Sequence, residues 1–199
     1  MSQVTELVVF AASEAYQKDN TIVNGLVDIL NKTPGKINTF HGPQVEDPNK
    51  GYLFVNWESL EHHKALMASP DYPTLVEGLK PALAGDYELV HVKFDKDPTP
   101  ALSAPVTEVV AIQIKEGKSE DELKKLLEQG AKIQLPGVVG STYGPIIEKP
   151  GCYIMAVGWP SVEEHQAARQ TKSEESTKVL GGVLELADFK VGHAKLTKY

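Results

Sequence analysis

The segment Trp57-Glu58-Ser59-Leu60-Glu61-His62-His63 returns 102 residues later as Trp159-Pro160-Ser161-Val162-Glu163-Glu164-His165, keeping Trp, Ser, Glu and His at alternate positions. Outward from this segment the same offset holds. Val4-Thr5-Glu6 meets Val106-Thr107-Glu108, Pro34-Gly35 meets Pro136-Gly137, and Gly42-Pro43 meets Gly144-Pro145. Asp86, His91, Lys93 and Lys96 meet Asp188, His193, Lys195 and Lys198. About twenty positions agree at this one spacing with no net insertion, which marks an internal repeat. A period near 100 residues is too long for a solenoid unit and is the size of a small domain. The expected organisation is one repeat over residues 1–95, a Pro-rich linker over 96–105, and a second repeat over 106–199.

Each repeat reads as β-α-β-β-α-β. Residues 4–12 are short and β-branched, as a strand requires. Ile22, Leu26, Ile29 and Leu30 recur at helical spacing over 19–33. In the second repeat Ser119 with Glu122 forms a capping-box pattern ahead of Leu123, Leu126 and Leu127. Two strands, 36–43 and 50–57, flank a turn rich in Asp, Pro and Asn. Ser59 and Ser161 stand where helix N-caps belong. The second helix of the first repeat breaks at Ser69-Pro70-Asp71. Its counterpart over 161–182 has no such proline and is expected to run on, with Lys172-Ser173-Glu174-Glu175 as solvated helix. Residues 86–95 and 188–197 read as closing strands. This order is the ferredoxin-like unit, an antiparallel sheet with helices on one face. The fold class is therefore α+β, two tandem ferredoxin-like units. Their sheets are expected to face each other, as in a dimeric α+β barrel made within one chain, with further association of whole chains left open.

Composition narrows the function. The net charge is −7, and Arg169 is the only arginine, which argues against phosphate or base recognition in nucleic acid. No apolar run is long enough to span a bilayer. Met1-Ser2-Gln3 shows no basic signal-peptide start, and the lone Cys152 fits a reducing cytoplasmic setting as a packed thiol. Adjacent His62 and His63 diverge by about 100° on a helix and cannot chelate together, so no metal site is expected. The Walker and dinucleotide-binding glycine patterns are missing from the sequence, so no cofactor is expected.

The stretch Trp57 to Tyr72, with its strand-ending Trp-Glu-Ser and its Ser-Pro followed by an aromatic, resembles the antibiotic biosynthesis monooxygenase-like domain. More weakly, it resembles the stress-responsive dimeric α+β barrel domain. The resemblance implies paired ferredoxin-like units with pockets between sheet and helices. It also implies a range of chemistries that includes cofactor-free oxygenation. Where members of the family often carry a histidine nine residues after the tryptophan, this chain has Leu66 and Ala168. The cofactor-free oxygenases of the family use a strand asparagine near the tryptophan; here Asn56 is adjacent to Trp57 and so points to the opposite sheet face, and its repeat partner is Gly158.

Candidate catalytic residues are His91 and His63, with His41. Strand alternation groups Tyr87, Leu89, His91 and Lys93 on one face and the apolar set Val90, Val92 and Phe94 on the other, the face expected to pack under the helices. That assignment aims His91 and His193 at the facing sheet. His63 and His165 follow the tryptophans by six residues and belong near a pocket mouth. His41 pairs with Tyr143, so the two repeats are expected to differ in their sites. Tyr52, Trp57, Tyr143, His165 and His193 complete the expected ligand-binding set. The first repeat is the favoured site, because it holds four of the six histidines and the broken helix. The function expected is binding or conversion of a small aromatic or polyketide-like molecule without metal or nucleotide. The alternative is a non-catalytic stress-associated or scaffold barrel.

Overall fold

A computed structural model describes residues 3–171 and 173–199; Met1, Ser2 and Lys172 lie outside the described residues. Two compact units form. One comprises the chain up to Lys93 together with Ala194–Tyr199, and the other comprises Phe94–His193.

In the first unit, strand β1 (Val4–Ala12) leads through helix α1 (Glu14–Lys18) and a 3-10 turn (Asn20–Val23) into α2 (Asn24–Asn31). Strands β2 (Lys36–Pro43) and β3 (Lys50–Trp57) follow, then α3 (Leu60–Met67), α4 (Tyr72–Leu79) and β4 (Leu83–Val92). The sheet order is β4-β1-β3-β2, and β9 (Thr197–Lys198) from the chain's end joins the outer edge of β2. Gly42 makes this last pairing feasible, since a Cβ there would lie 1.8 Å from the Lys195 carbonyl oxygen.

Polarity along β4 misled the face assignment. Val4, Val8, Phe10, Leu53, Val55 and Trp57 pack with Leu26, Leu30, Leu66 and Leu79 of the helices. Glu6 lies on that same face of β1, because strand side chains alternate. Glu6 pairs with His91 across the ladder. His91 therefore points toward the helices, not away from them. The opposite face is equally dry: Leu7, Phe40, Phe54, Val90 and Val92 are all buried. A sheet buried on both sides offers no apolar-in, polar-out contrast, and the alternation rule cannot then choose the face.

The second unit repeats the plan with changes in its helices. The expected linker contains a short helix, α5 (Thr99–Leu102), with Ala101 and Leu102 buried. Strand β5 (Val106–Ile114), helix α6 (Glu120–Gly130), β6 (Gly140–Pro145) and β7 (Cys152–Trp159) follow, then α7 (Val162–Gln170), α8 (Glu174–Leu186) and β8 (Ala187–Ala194). The sheet order is β6-β7-β5-β8. Ser119 caps α6 by accepting from the Glu122 amide, as the sequence pattern requires. The second helical stretch does not run on. Ser173 accepts from the Ser176 amide and starts α8 as a separate helix, so a capping side chain breaks the stretch where the first unit uses proline. Cys152 is buried, and its thiol donates to Gln113 Oε1 at 2.7 Å.

Candidate functional site

The strand-to-helix turn after each tryptophan builds the centre of the site. Ser161 N-caps α7 and Ser59 takes the same place before α3, so the histidine four residues later completes the first turn. That places the His63 ring flat on Trp57, with centroids 5.1 Å apart and planes at 15°. His165 lies on Trp159 in the same way, at 4.7 Å and 21°.

Beneath each stack lies a buried carboxylate. Trp57 Nε1–H donates to Glu6 Oε2 at 3.1 Å, and His63 Nε2 stands 3.4 Å from the same oxygen. On its other side His63 Nδ1 meets His91 Nε2 at 2.7 Å. The second unit reproduces the arrangement. Trp159 Nε1–H donates to Glu108 Oε2 at 3.0 Å, His165 Nε2 is 3.5 Å from it, and His165 Nδ1 is 2.7 Å from His193 Nε2. The result is a Trp–Glu–His–His chain present twice, 102 residues apart. A neutral imidazole has one N–H, so a His63 that donates to Glu6 must accept from His91.

Burial sets the electrostatics. Desolvation raises Glu6 from its ordinary value to about 7, against a smaller lowering by the Trp57 hydrogen bond. Glu108 is raised for the same reason, with the Trp159 hydrogen bond and the charges of His193 and Arg169 opposing the shift. Each carboxyl group is thus a stronger base than a solvated one, and Glu6 can hold or release a proton near neutrality.

The units differ in the space beside this chain. In the second, a cavity of about 270 Å³ reaches Glu108, Trp159 and His165, walled by Val110, Leu127, Met155, Val183 and Phe189, with Tyr143 and Arg169 on its lining. In the first, the equivalent space is about 30 Å³, closed by Leu66, Tyr72, Leu75 and Leu79. At the repeat offset Leu66 corresponds to Ala168. The shorter side chain borders the cavity and helps leave the second unit hollow. The open cavity is therefore in the second unit, whereas the sequence favoured the first.

The expected site residues separate accordingly. His63, His91 and Trp57 come together, as do His165, His193 and Trp159. Tyr143 reaches the cavity beside the second set. His41 stands apart, on β2 and three strands away from β4, about 14 Å at ordinary strand spacing. There it accepts or donates at Nδ1 with the Tyr16 hydroxyl (3.1 Å) and stacks on Tyr199 at 4.9 Å. Burial pushes its pKa down to about 4. Tyr52 donates to Gln44 Oε1 and stacks on Phe54, away from the histidine pair. Asn56 accepts from Thr5 and donates to Asn38, a buried bridge between strands. The residues missed by the sequence reading were Glu6 and Glu108. Their signal was a repeated carboxylate at a helix-facing position of a β-branched strand. Among the described residues no group of three or more His, Cys, Asp or Glu side chains is placed to hold a metal ion, and no helix is long and apolar enough to cross a membrane.

Comparison with solved structures places the whole chain. An anthrone oxidase-like protein aligns over 100% of this chain and 93% of its own, with TM-score 0.74 and 14% identity. A candidate monooxygenase from Lactobacillus acidophilus NCFM aligns over 100% and 96%, with TM-score 0.70 and 9% identity. Another from Fusobacterium nucleatum aligns over 98% and 92%, with TM-score 0.72 and 8% identity. The fold is the two-unit α+β architecture of these full-length neighbours. No family model matches the sequence, and no curated protein matches it. At these identities the full-length neighbours establish the architecture alone. The chemistry must be argued from Glu108, His165 and the cavity beside them.

Proposed function

We propose that the second unit binds a small, flat, largely apolar molecule and withdraws a proton from it with the Glu108–His165 pair. The observation that carries this is a mostly apolar cavity of about 270 Å³ in which a buried carboxylate, an imidazole and a phenol meet. The volume sits just under the roughly 300 Å³ at which small-ligand pockets usually begin, so a compact polycyclic or acyl compound suits it. A desolvated carboxylate with a raised pKa is an effective base toward a weakly acidic C–H or O–H. His165 accepts the proton in turn and shares it with His193. One structural neighbour is described as anthrone oxidase-like, and an anthrone fits this chemistry. Loss of one ring C–H proton gives a stabilised carbanion, which reacts with dioxygen to give the quinone and water.

The test is oxygen consumption and quinone absorbance with anthrone as substrate. Wild type should turn over, Glu108→Gln and His165→Ala should each lose at least tenfold, and Glu6→Gln should leave the rate unchanged. Activity lost equally in the Glu6 and Glu108 variants would place the chemistry elsewhere.

One observation favours a second reading. The first unit keeps the same four residues beside a void of only about 30 Å³. There the chain acts as a buried brace between strand, strand and helix. If neither anthrone nor any other flat aromatic binds and both Glu variants lose only stability, the brace is the function of both copies.

A further inference from the structure

We infer that the second unit's cavity selects an amphipathic acid, an apolar body carrying one carboxylate, and that Arg169 binds the carboxylate. The inference rests on the proposed cavity site and names its ligand class. Three observations meet here. Arg169 is the chain's one arginine, in a protein of net charge −7. It lines the cavity while its residue remains exposed to solvent, as a residue at the cavity's mouth does. Among the described residues no acidic side chain lies within ion-pair distance of it, although it influences Glu108 through space.

The repeat sharpens the point. The residues at this place in the first unit are Leu66 and Met67, and in the second they are Ala168 and Arg169. Two adjacent substitutions on one helix thus hollow the second unit and set a cation at the opening. A planar guanidinium with five donors matches a carboxylate in two parallel hydrogen bonds, which a lysine cannot reproduce. A ligand with its anion at Arg169 puts its apolar body against Leu127, Met155 and Phe189, with its inner end toward Glu108 and His165. The anion at the mouth stays hydrated on one side, so it is held without the cost of burying a charge.

The experiment measures binding of anthracene-2-carboxylate and its uncharged partner anthracene-2-carboxamide to the full chain, through Trp159 quenching confirmed by calorimetry. Wild type should prefer the carboxylate about five- to tenfold, and the preference should shrink with added salt. Arg169→Met, which installs the residue of the first unit, should bring the carboxylate to the affinity of the amide and leave the amide unchanged. Arg169→Lys should keep only part of the preference. Ala168→Leu should abolish binding of both compounds. Equal affinities in wild type, or a preference that survives Arg169→Met, would overturn the acid-selective mouth and leave the cavity site standing. Failure of both compounds to bind wild type, or binding untouched by Ala168→Leu, would overturn the cavity site together with it.

Discussion

Exchanging the residues that open one unit and fill the other tests the asymmetry most directly. Ala168 is buried and borders the cavity of about 270 Å³. Leu66, at the matching place, is buried beside a void of about 30 Å³. Ala168→Leu adds three carbons to a space that already exists. At about 0.8 kcal/mol per buried methylene the gain is about 2 kcal/mol, provided a staggered rotamer fits. For a chain of this length that corresponds to about 5 °C in Tm. Leu66→Ala removes the same three carbons from a packed site. It loses the same transfer energy and adds a cavity, for a total of about 3 to 4 kcal/mol. Calorimetry and urea titration of the two single variants and the double variant measure these changes, and the double should be close to additive because the sites are in separate units. The opposite signs are the essential result. If Ala168→Leu destabilises the protein by more than about 1 kcal/mol, the second unit has no room there, and the reasoning from side-chain size fails.

Three further outcomes follow from the buried ionisable groups. Glu6 keeps its proton to about pH 7 when folded but releases it near 4.5 when unfolded. Its contribution is therefore fully present below pH 4.5 and is lost as pH rises through 7, by about 3 kcal/mol; Glu6→Gln should flatten that slope in urea midpoints taken from pH 5 to 8. His41 has the opposite sign. Its folded pKa of about 4 lies below the unfolded 6.5, so stability is present above pH 6.5 and lost as pH falls toward 4. His41→Phe, which preserves the stack on Tyr199, should remove the acid-side loss, and an unchanged acid limb would refute the assignment. Trp159→Phe leaves Glu108 without its indole donor; it should cost about 1 to 3 kcal/mol, and more at pH 8 than at pH 5, because the ionised carboxylate needs that donor more.

Most of the architecture was legible in the chain itself. The repeat fixed two equivalent units, and the strand and helix order followed from local signals: β-branched runs, the Ser119 and Ser161 caps, and the turns around Pro34-Gly35 and Pro136-Gly137. Those signals act over a few residues, so a sequence displays them directly. Histidines six residues after each tryptophan were also visible, but their stacking on the indole rings was not.

Tertiary structure alone decided the rest. Which face of β4 met the helices depended on long-range burial of both faces, and so His91 turned out to touch His63. Glu6 and Glu108 looked like ordinary strand residues until the fold removed them from water and set them under tryptophan and histidine. The position of the cavity turned on whether Leu66 or Ala168 occupied one site, with α4 or α8 closing over it. Void volume depends on side chains brought together from distant segments, and no local stretch of sequence records it.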